Sequence, residues 1–436
     1  MAPFGLCARL RSSAATSCTQ DYFNSIALGI CRQISTGTSD TFRHTDIEKR
    51  LTSPSHSSVD LESVRFGQTF TDHLLTVEHA EGHGWGRPQI RPFAEGFTIH
   101  PASTVLHYGM CCFEGMKAYL GVDGRGRLFR PDMNMQRLHR SSRRLHLADY
   151  DPGELLECLK ELLRVERQWL PEREGYSLYI RPYMFSSSHS IGISRPTRST
   201  IAVILSPVGP YFATGLTPIK LFLDERNVRA WPGGVGDCKV GSNYAPTILP
   251  QTTAQQLHGT PQVLYTMPSK DSSDADAALI SESGAMNVFF LLDKEDGSGQ
   301  QLITPPLDGT ILPGVTRDSV LQLARHWWDC DVLEAHITVG ALKRAAAEGR
   351  LREIFGCGTA CIVQPIDGLV RADGQVLAAP FDASSITSMT ARMTRALTDI
   401  QYARVPSDWS VPFDDAKIQD KELAGAEPCH DAVMGL

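Results

Sequence analysis

Residues 234–247 read GVGDCKVGSNYAPT, and the lysine in this stretch decides how the rest of the chain is read. A surface lysine normally sits among other charges on a helix face. Lys239 stands instead among glycines and small polar residues, with Asp237 as its one neighbouring carboxylate and Tyr244 a short step further on. Small neighbours let a flat ligand approach the backbone closely, and a lysine amine changes its protonation readily when it is withdrawn from water. Such an amine is suited to bonding an aldehyde.

The aldehyde cofactor that does this in enzymes is pyridoxal phosphate, which supplies an electron sink that side chains lack. It demands an acid at the pyridine nitrogen, a donor at the phenolate oxygen and a cradle for the phosphate. Glu282, in ISESGAMNVFF (280–290), is read as a lone carboxylate in a turn between two strand-like runs. Tyr244 is a candidate donor. LDGTILPGVTRDSV (307–320) runs from a glycine turn into a helix beginning near Thr316, and a helix N-terminus with free N–H groups is an anion site. Taken one at a time, these are equally a turn lysine, a core phenol, a hairpin end and an ordinary helix cap. Their co-occurrence in this order carries the reading.

Composition bounds the rest. The 436 residues are 42% hydrophobic and 21% charged, as in ordinary globular domains, and the apolar runs are strand-sized, such as IAVIL (201–205) and VFFLL (288–292). None approaches the ~18 residues of a membrane span. A formal charge of −7 without a basic stripe argues against a nucleic-acid partner. The eleven cysteines show no CxxC and the 14 histidines no HExxH, so neither a zinc site nor another metal centre is expected.

Residues 1–45 hold four arginines, no lysine, two aspartates and twelve Ser or Thr. That is the composition of an organelle transit peptide, with an untargeted tail as the plainer alternative; delivery to the mitochondrial matrix is the expectation. A small domain is expected over 60–205, with helices at 131–147 and 151–170 and strands at 177–185 and 199–207. The second helix opens with Asp151 as N-cap, Pro152 at the first turn and Glu154 three residues on, a capping box. The Pro- and Gly-rich 206–218 reads as an interdomain loop. A larger domain follows over 219–410, beginning with a strand at 219–225 and ending on a helix near 384–403; 411–436 reads as a polar tail.

Longer blocks then extend the reading. FGQTFTDHLLTVEH, LHYGMCCFEGMKAY, SLYIRP, SPVGPYF, RAWPGGVGDCKVGSNYAPT, LDGTILPGVTRDSVLQLA, FGCGTACIV and LTDIQYAR closely resemble the branched-chain amino-acid aminotransferases of eukaryotes, from about residue 64 to 410. The resemblance implies an α+β protein of fold type IV of the pyridoxal-phosphate enzymes, D-amino-acid aminotransferase-like, working as a homodimer on small amino acids and 2-oxo acids. It implies that Lys239 binds the cofactor and shuttles a proton, with Glu282 at the pyridine nitrogen and Tyr244 at the phenolate oxygen. Arg137, Val315 and Thr316 would hold the phosphate and Leu312 would pack on the ring. Thr359 and Ala360 would hold the substrate α-carboxylate. Phe66, Tyr108, Phe113, Tyr179 and Tyr211 would wall the side-chain pocket, Ile193 would reach it from the partner subunit, and Arg181 would meet the distal carboxylate of glutamate.

Departures from that pattern matter too. Mammalian relatives carry a CxxC redox switch where this chain reads CIVQ (361–364), so Gln364 removes the second thiol. Cys357 stands in the FGSGTA block in place of serine, and Ser283 and Ala285 appear where relatives read EVGTMN. These changes leave open a preference for a longer or non-standard aliphatic amino acid.

Overall fold

The computed structural model describes residues 41–53, 61–209, 217–269, 274–327, 330–382 and 385–414. Within them the chain builds two sheets. The first has ten strands. At its centre Ser177–Ser186 pairs antiparallel with Arg198–Val208 along its whole length, Ser177 opposite Val208 and Ser186 opposite Ser199. Both are nearly continuous buried runs, the pattern of strands covered on both faces. His73–Ala80 and Met116–Leu120 flank this pair. The Pro131–Arg144 and Pro152–Val165 helices pack with it, the second burying Leu155, Cys158, Leu159, Leu162 and Leu163 as one helical stripe.

The second sheet has nine strands. Ile219–Asp224 runs parallel to Gln262–Met267 on one side and to Ile362–Val370 on the other. Leu279–Ser283, Asn287–Asp293 and Leu351–Gly358 pair antiparallel with their neighbours. Its apolar core includes Leu221, Leu264, Val288, Phe290, Ile354 and Ile366.

Several boundaries differ from the sequence reading for local reasons. The first helix stops at Arg144, because His146 takes a left-handed φ of 57°. The second stops at Val165, where Glu166 turns inward to an ion pair with the buried His73; a 3-10 turn over Arg167–Trp169 follows. The capping box is only half made. Asp151 Oδ1 accepts from Gly153 N at 2.7 Å, but the Asp151 N–H goes to Thr41 Oγ1 at 2.9 Å. Glu154 is occupied by the N–H and ring of His44, at 2.8 and 2.7 Å.

Thr41–Thr45 are therefore part of the fold, with Phe42 buried against Trp85 and Tyr150; residues 1–40 lie outside those described. At the other end Ser410–Pro412 is a strand of the first sheet, paired with Gly126–Phe129. Phe413 is buried over Gly126, where any Cβ would come within 2.2 Å of its ring. Of the loop read over 206–218, residues 210–216 lie outside those described. Thr217, just beyond them, is held by the buried Gln364, whose Nε2 donates to its carbonyl at 2.9 Å.

Candidate active site

The glycines around Lys239 have a steric reason. A Cβ on Gly236 would lie 2.6 Å from the Thr310 carbonyl oxygen and 2.7 Å from Ala230 Cβ, so only glycine lets the bend close. The bend is then pinned by the buried Asn243, whose Nδ2 donates to Val235 O at 2.6 Å and Cys238 O at 2.9 Å. The lysine backbone is fixed from the first sheet's side: its N–H donates to Ser141 Oγ at 2.9 Å and its carbonyl accepts from Phe113 N at 3.0 Å. Lys239 Nζ donates to Tyr244 Oη at 2.9 Å and stands 4.8 Å from the centroids of both Phe113 and Tyr244. Among the described residues no carboxylate comes within ion-pair distance of it, Asp237 included.

A cavity of about 270 Å³ opens in front of this amine. Glu282 lies in its wall, and not in a turn: it sits within the Leu279–Ser283 strand, 3% exposed, and the bend follows at Gly284–Ala285. Its Oε1 accepts from Leu312 N at 3.0 Å, and its Oε2 accepts from Asn287 Nδ2 at 3.0 Å. Arg229 Nη1 stands 2.6 Å from Oε1 as an ion pair not aligned as a hydrogen bond, which leaves the buried Nη1 and Nε of Arg229 without acceptors. Burial pushes Glu282 above the ordinary carboxylate range, against the opposing pull of Arg229, the Leu312 N–H and Lys239.

A second ion pair lies nearby. Arg137, on the Pro131–Arg144 helix, meets the fully buried Glu114 through Nε at 2.5 Å and Nη2 at 2.9 Å, and donates from Nη1 to Pro313 O at 3.0 Å. A guanidinium has five N–H donors, so these three bonds leave two. Burial opposes the charge on Glu114, but Arg137 and Asn134 hold its carboxyl net below the usual range.

Pro313 leads into the Val315–Trp327 helix. The N–H groups of Val315 and Thr316 have no acceptor among the described residues, as at any uncapped helix start. Gly314 is required just before them, since a Cβ there would meet Asn287 Oδ1 at 2.1 Å.

The remaining wall is aromatic. Tyr179 packs edge-on against Phe66 with centroids 4.9 Å apart, and Arg181 lies over the Phe113 and Tyr179 rings at 4.9 and 5.3 Å. Ala285, Thr359 and Ala360 complete the lining. Tyr108, an expected wall residue, does not line this cavity: it is 40% exposed, with its Oη donating to Ile191 O, and Ile193, expected to reach the partner subunit's pocket, is 80% exposed. Tyr211 lies outside the described residues.

Amino-transferase class IV matches residues 111–369, more than half of the chain and the stretch that holds Lys239, Tyr244, Glu282 and Thr316. The chain belongs to this family. It is 44% identical over 373 residues to the cytosolic branched-chain-amino-acid aminotransferase of Mus musculus, covering 85% of this chain and 94% of that one. To the mitochondrial branched-chain-amino-acid aminotransferase of Rattus norvegicus it is also 44% identical, covering 85% and 92%. Its fold matches the crystal structure of the Escherichia coli branched-chain amino acid aminotransferase with a TM-score of 0.61 at 24% identity, covering 79% and 99%.

Class IV aminotransferases use pyridoxal phosphate, and the donor set here fits it. An amine with a phenol beside it, a buried carboxylate backed by a guanidinium, and a helix start with two free N–H groups and Arg137 border one cavity. Arg229, Glu114 and Asn287 escape sequence reasoning: Arg229 and Glu114 act through partners distant in the chain, and Asn287 reaches Glu282 only across the bend between two strands. The signal nearest to hand was a second cation, Arg229, shortly before the lysine in RAWPGGVGDCK.

Proposed function

We infer that this protein is a pyridoxal-phosphate-dependent branched-chain-amino-acid aminotransferase, moving the amino group between leucine, isoleucine or valine and 2-oxoglutarate. The observation that carries this reading is the convergence of Lys239, Tyr244, Glu282 and the Val315–Thr316 helix start on one cavity. Bound there, pyridoxal phosphate supplies the aldehyde and the electron sink. The chain's own groups do the rest. Lys239 would hold the cofactor, and its amine would take the proton from the substrate Cα. Glu282 would serve the pyridine nitrogen and favour its protonated form, because an opposite charge at close range does so. Tyr244 would donate to the phenolate oxygen, and Leu312 would pack on the ring. Val315, Thr316 and the two uncommitted donors of Arg137 hold the phosphate.

Thr359 and Ala360 take the α-carboxylate, while Phe66, Phe113 and Tyr179 surround the aliphatic side chain. Arg181 meets the distal carboxylate of 2-oxoglutarate, so one pocket serves both half-reactions. The residues around each sheet act as a small N-terminal and a larger C-terminal domain joined by 206–218. Exposed apolar side chains of Leu106, Tyr108, Ile191 and Ile193 support a homodimer in which Tyr108 and Ile193 approach the partner's cavity. The Arg- and Ser-rich residues before Thr41 support delivery to the mitochondrial matrix.

A visible absorption spectrum tests the reading. The bound cofactor's band is expected to bleach with leucine alone and to return with 2-oxoglutarate. A band that ignores leucine overturns it.

A further inference from the structure

Behind the Thr359–Ala360 turn lies a buried amine that the proposed chemistry does not use. Lys117 is the second residue of the Met116–Leu120 strand, 6% exposed, and its Nζ donates to Ala360 O at 2.7 Å. Among the described residues no carboxylate lies within ion-pair distance of it. On its far side a cavity of about 450 Å³ is lined by Glu174, Arg395, Asp399, Tyr402 and Arg404. The acids there are already claimed: Arg404 pairs with Glu174 at 2.5 Å and with Asp399 at 3.0 Å, and Arg395 faces Asp399 at 3.7 Å. The other titratable neighbour is the Cys361 thiol of the turn.

An isolated buried ammonium is costly. The other side of the turn offers a place for an anion that would compensate it. No group among the described residues accepts from the N–H of Thr359 or Ala360, and both residues line the active-site cavity. A carboxylate accepting those two N–H groups would sit one peptide away from the Lys117 charge. We propose that Lys117 is a positioning residue for the substrate carboxylate: through the Ala360 carbonyl it fixes the turn, and its charge gives the turn's free N–H groups a positive backing. The proposal rests on the assignment of this turn to the α-carboxylate. Burial lowers the Lys117 amine to about 8, so the charge is present at neutral pH and is lost as pH rises. Carboxylate affinity should be full below that point and fall above it.

The test uses the cofactor-loaded enzyme, its Lys117→Met and Lys117→Gln variants, and 4-methylvalerate, which has the leucine skeleton without an amine to titrate. Lys117→Met is expected to raise KM for leucine and for 2-oxoglutarate alike, and the Kd of 4-methylvalerate, by about 10-fold, with kcat changed less than about 2-fold. Lys117→Gln, which keeps a donor but no charge, should recover part of that loss. Both variants should lose the alkaline weakening of 4-methylvalerate binding that the parent shows between about pH 7 and 9. Unchanged Kd in Lys117→Met, or an alkaline weakening that persists in it, overturns the proposal. Ala360→Pro, which deletes one free N–H, separates the two levels. If it weakens 4-methylvalerate while Lys117→Met does not, only the role of Lys117 falls. If neither does, the turn is not the carboxylate site and the proposal falls with it.

Discussion

The two ends of the cavity are built on opposite terms. At the Glu282 end nearly everything is bonded in advance: a buried carboxylate takes the Leu312 N–H, the Asn287 amide and the Arg229 charge, and Asn287 also donates to Leu312 O at 3.0 Å. At the Tyr179 end the groups are held loosely. Phe66 is 37% exposed, Arg181 lies over two rings and donates from Nη2 to Tyr179 Oη at 3.2 Å, and among the described residues nothing accepts from the N–H groups of Thr359 and Ala360. The first end suits a group that stays through every cycle. The second suits ligands that must enter, differ from one another and leave, because tight prior bonding there would have to be broken each time.

The sharpest way to break this comparison is to remove the element between the two ends. Lys239→Ala should lower kcat by roughly 10²–10⁴-fold, the usual contribution of a positioned proton carrier, while the Arg137 and Val315–Thr316 side still retains the cofactor. Cofactor retained after gel filtration, with turnover lost, bears this out. Normal turnover would remove Lys239 from the chemistry.

A smaller effect is expected at the pre-bonded end. Glu282→Gln should slow proton removal from Cα by at least ~10-fold, about 1.4 kcal/mol. It should also lower Tm, because the buried Arg229 guanidinium keeps only a neutral neighbour. Rapid-reaction kinetics with α-deuterated leucine and a thermal melt measure both. An unchanged isotope-sensitive rate would mean that this carboxylate does not govern the step.

At the loose end the effect should be a tilt. Ala285 lines the cavity beside Thr359, and a threonine there adds a hydroxyl and a little volume. One methylene in an apolar pocket is worth only ~1–3 kcal/mol of discrimination. Ala285→Thr should therefore shift kcat/KM toward valine and away from longer straight-chain amino acids by a modest factor. Identical ratios for valine, leucine and norleucine in both forms would show that position 285 does not shape the pocket.

The smallest effect expected is none. Burial pushes the Cys361 thiol up to about 12 and also holds the Cys357 thiol well above the ordinary thiol range, and thiols, unlike thiolates, react slowly with peroxide. Gln364 occupies the second switch position with its amide bonded to Thr217. Mild peroxide should leave activity unchanged. A Cys357–Cys361 bridge seen by mass spectrometry, tracking a reversible loss of activity, would contradict this.

Much of the site was legible because its parts sit where local patterns point. Lys239 stands out against glycines, Thr316 follows a turn into an apolar helix, and the central strands are uninterrupted apolar runs. What stayed hidden is pairwise and distant. Nothing in the sequence near Glu114 announces Arg137, or near Arg229 announces Glu282, since burial and charge pairing are settled only when the chain packs. The same reason undid local rules. Asp151 and Glu154 look like a capping box, yet Thr41 and His44 outcompete the helix for their bonds. Glu282 stands between two strand-like runs, where a turn is expected, yet its strand continues through it and the bend follows at Gly284–Ala285.

The pairing of Ser410–Pro412 with Gly126–Phe129 also bears on how the chain is made. The first sheet is encoded mostly before the second, but its edge is closed by a strand made only after the whole second sheet. Until then Gly126 has no Phe413 ring above it, and the edge of Gly126–Phe129 is open to other strands. Contacts of such long sequence separation form slowly, so the nascent N-terminal half must wait, with an unfinished edge, for the whole second sheet to be synthesised. A stop codon placed shortly before Ser410 would leave that edge permanently exposed, in a chain that still contains every residue of the active site.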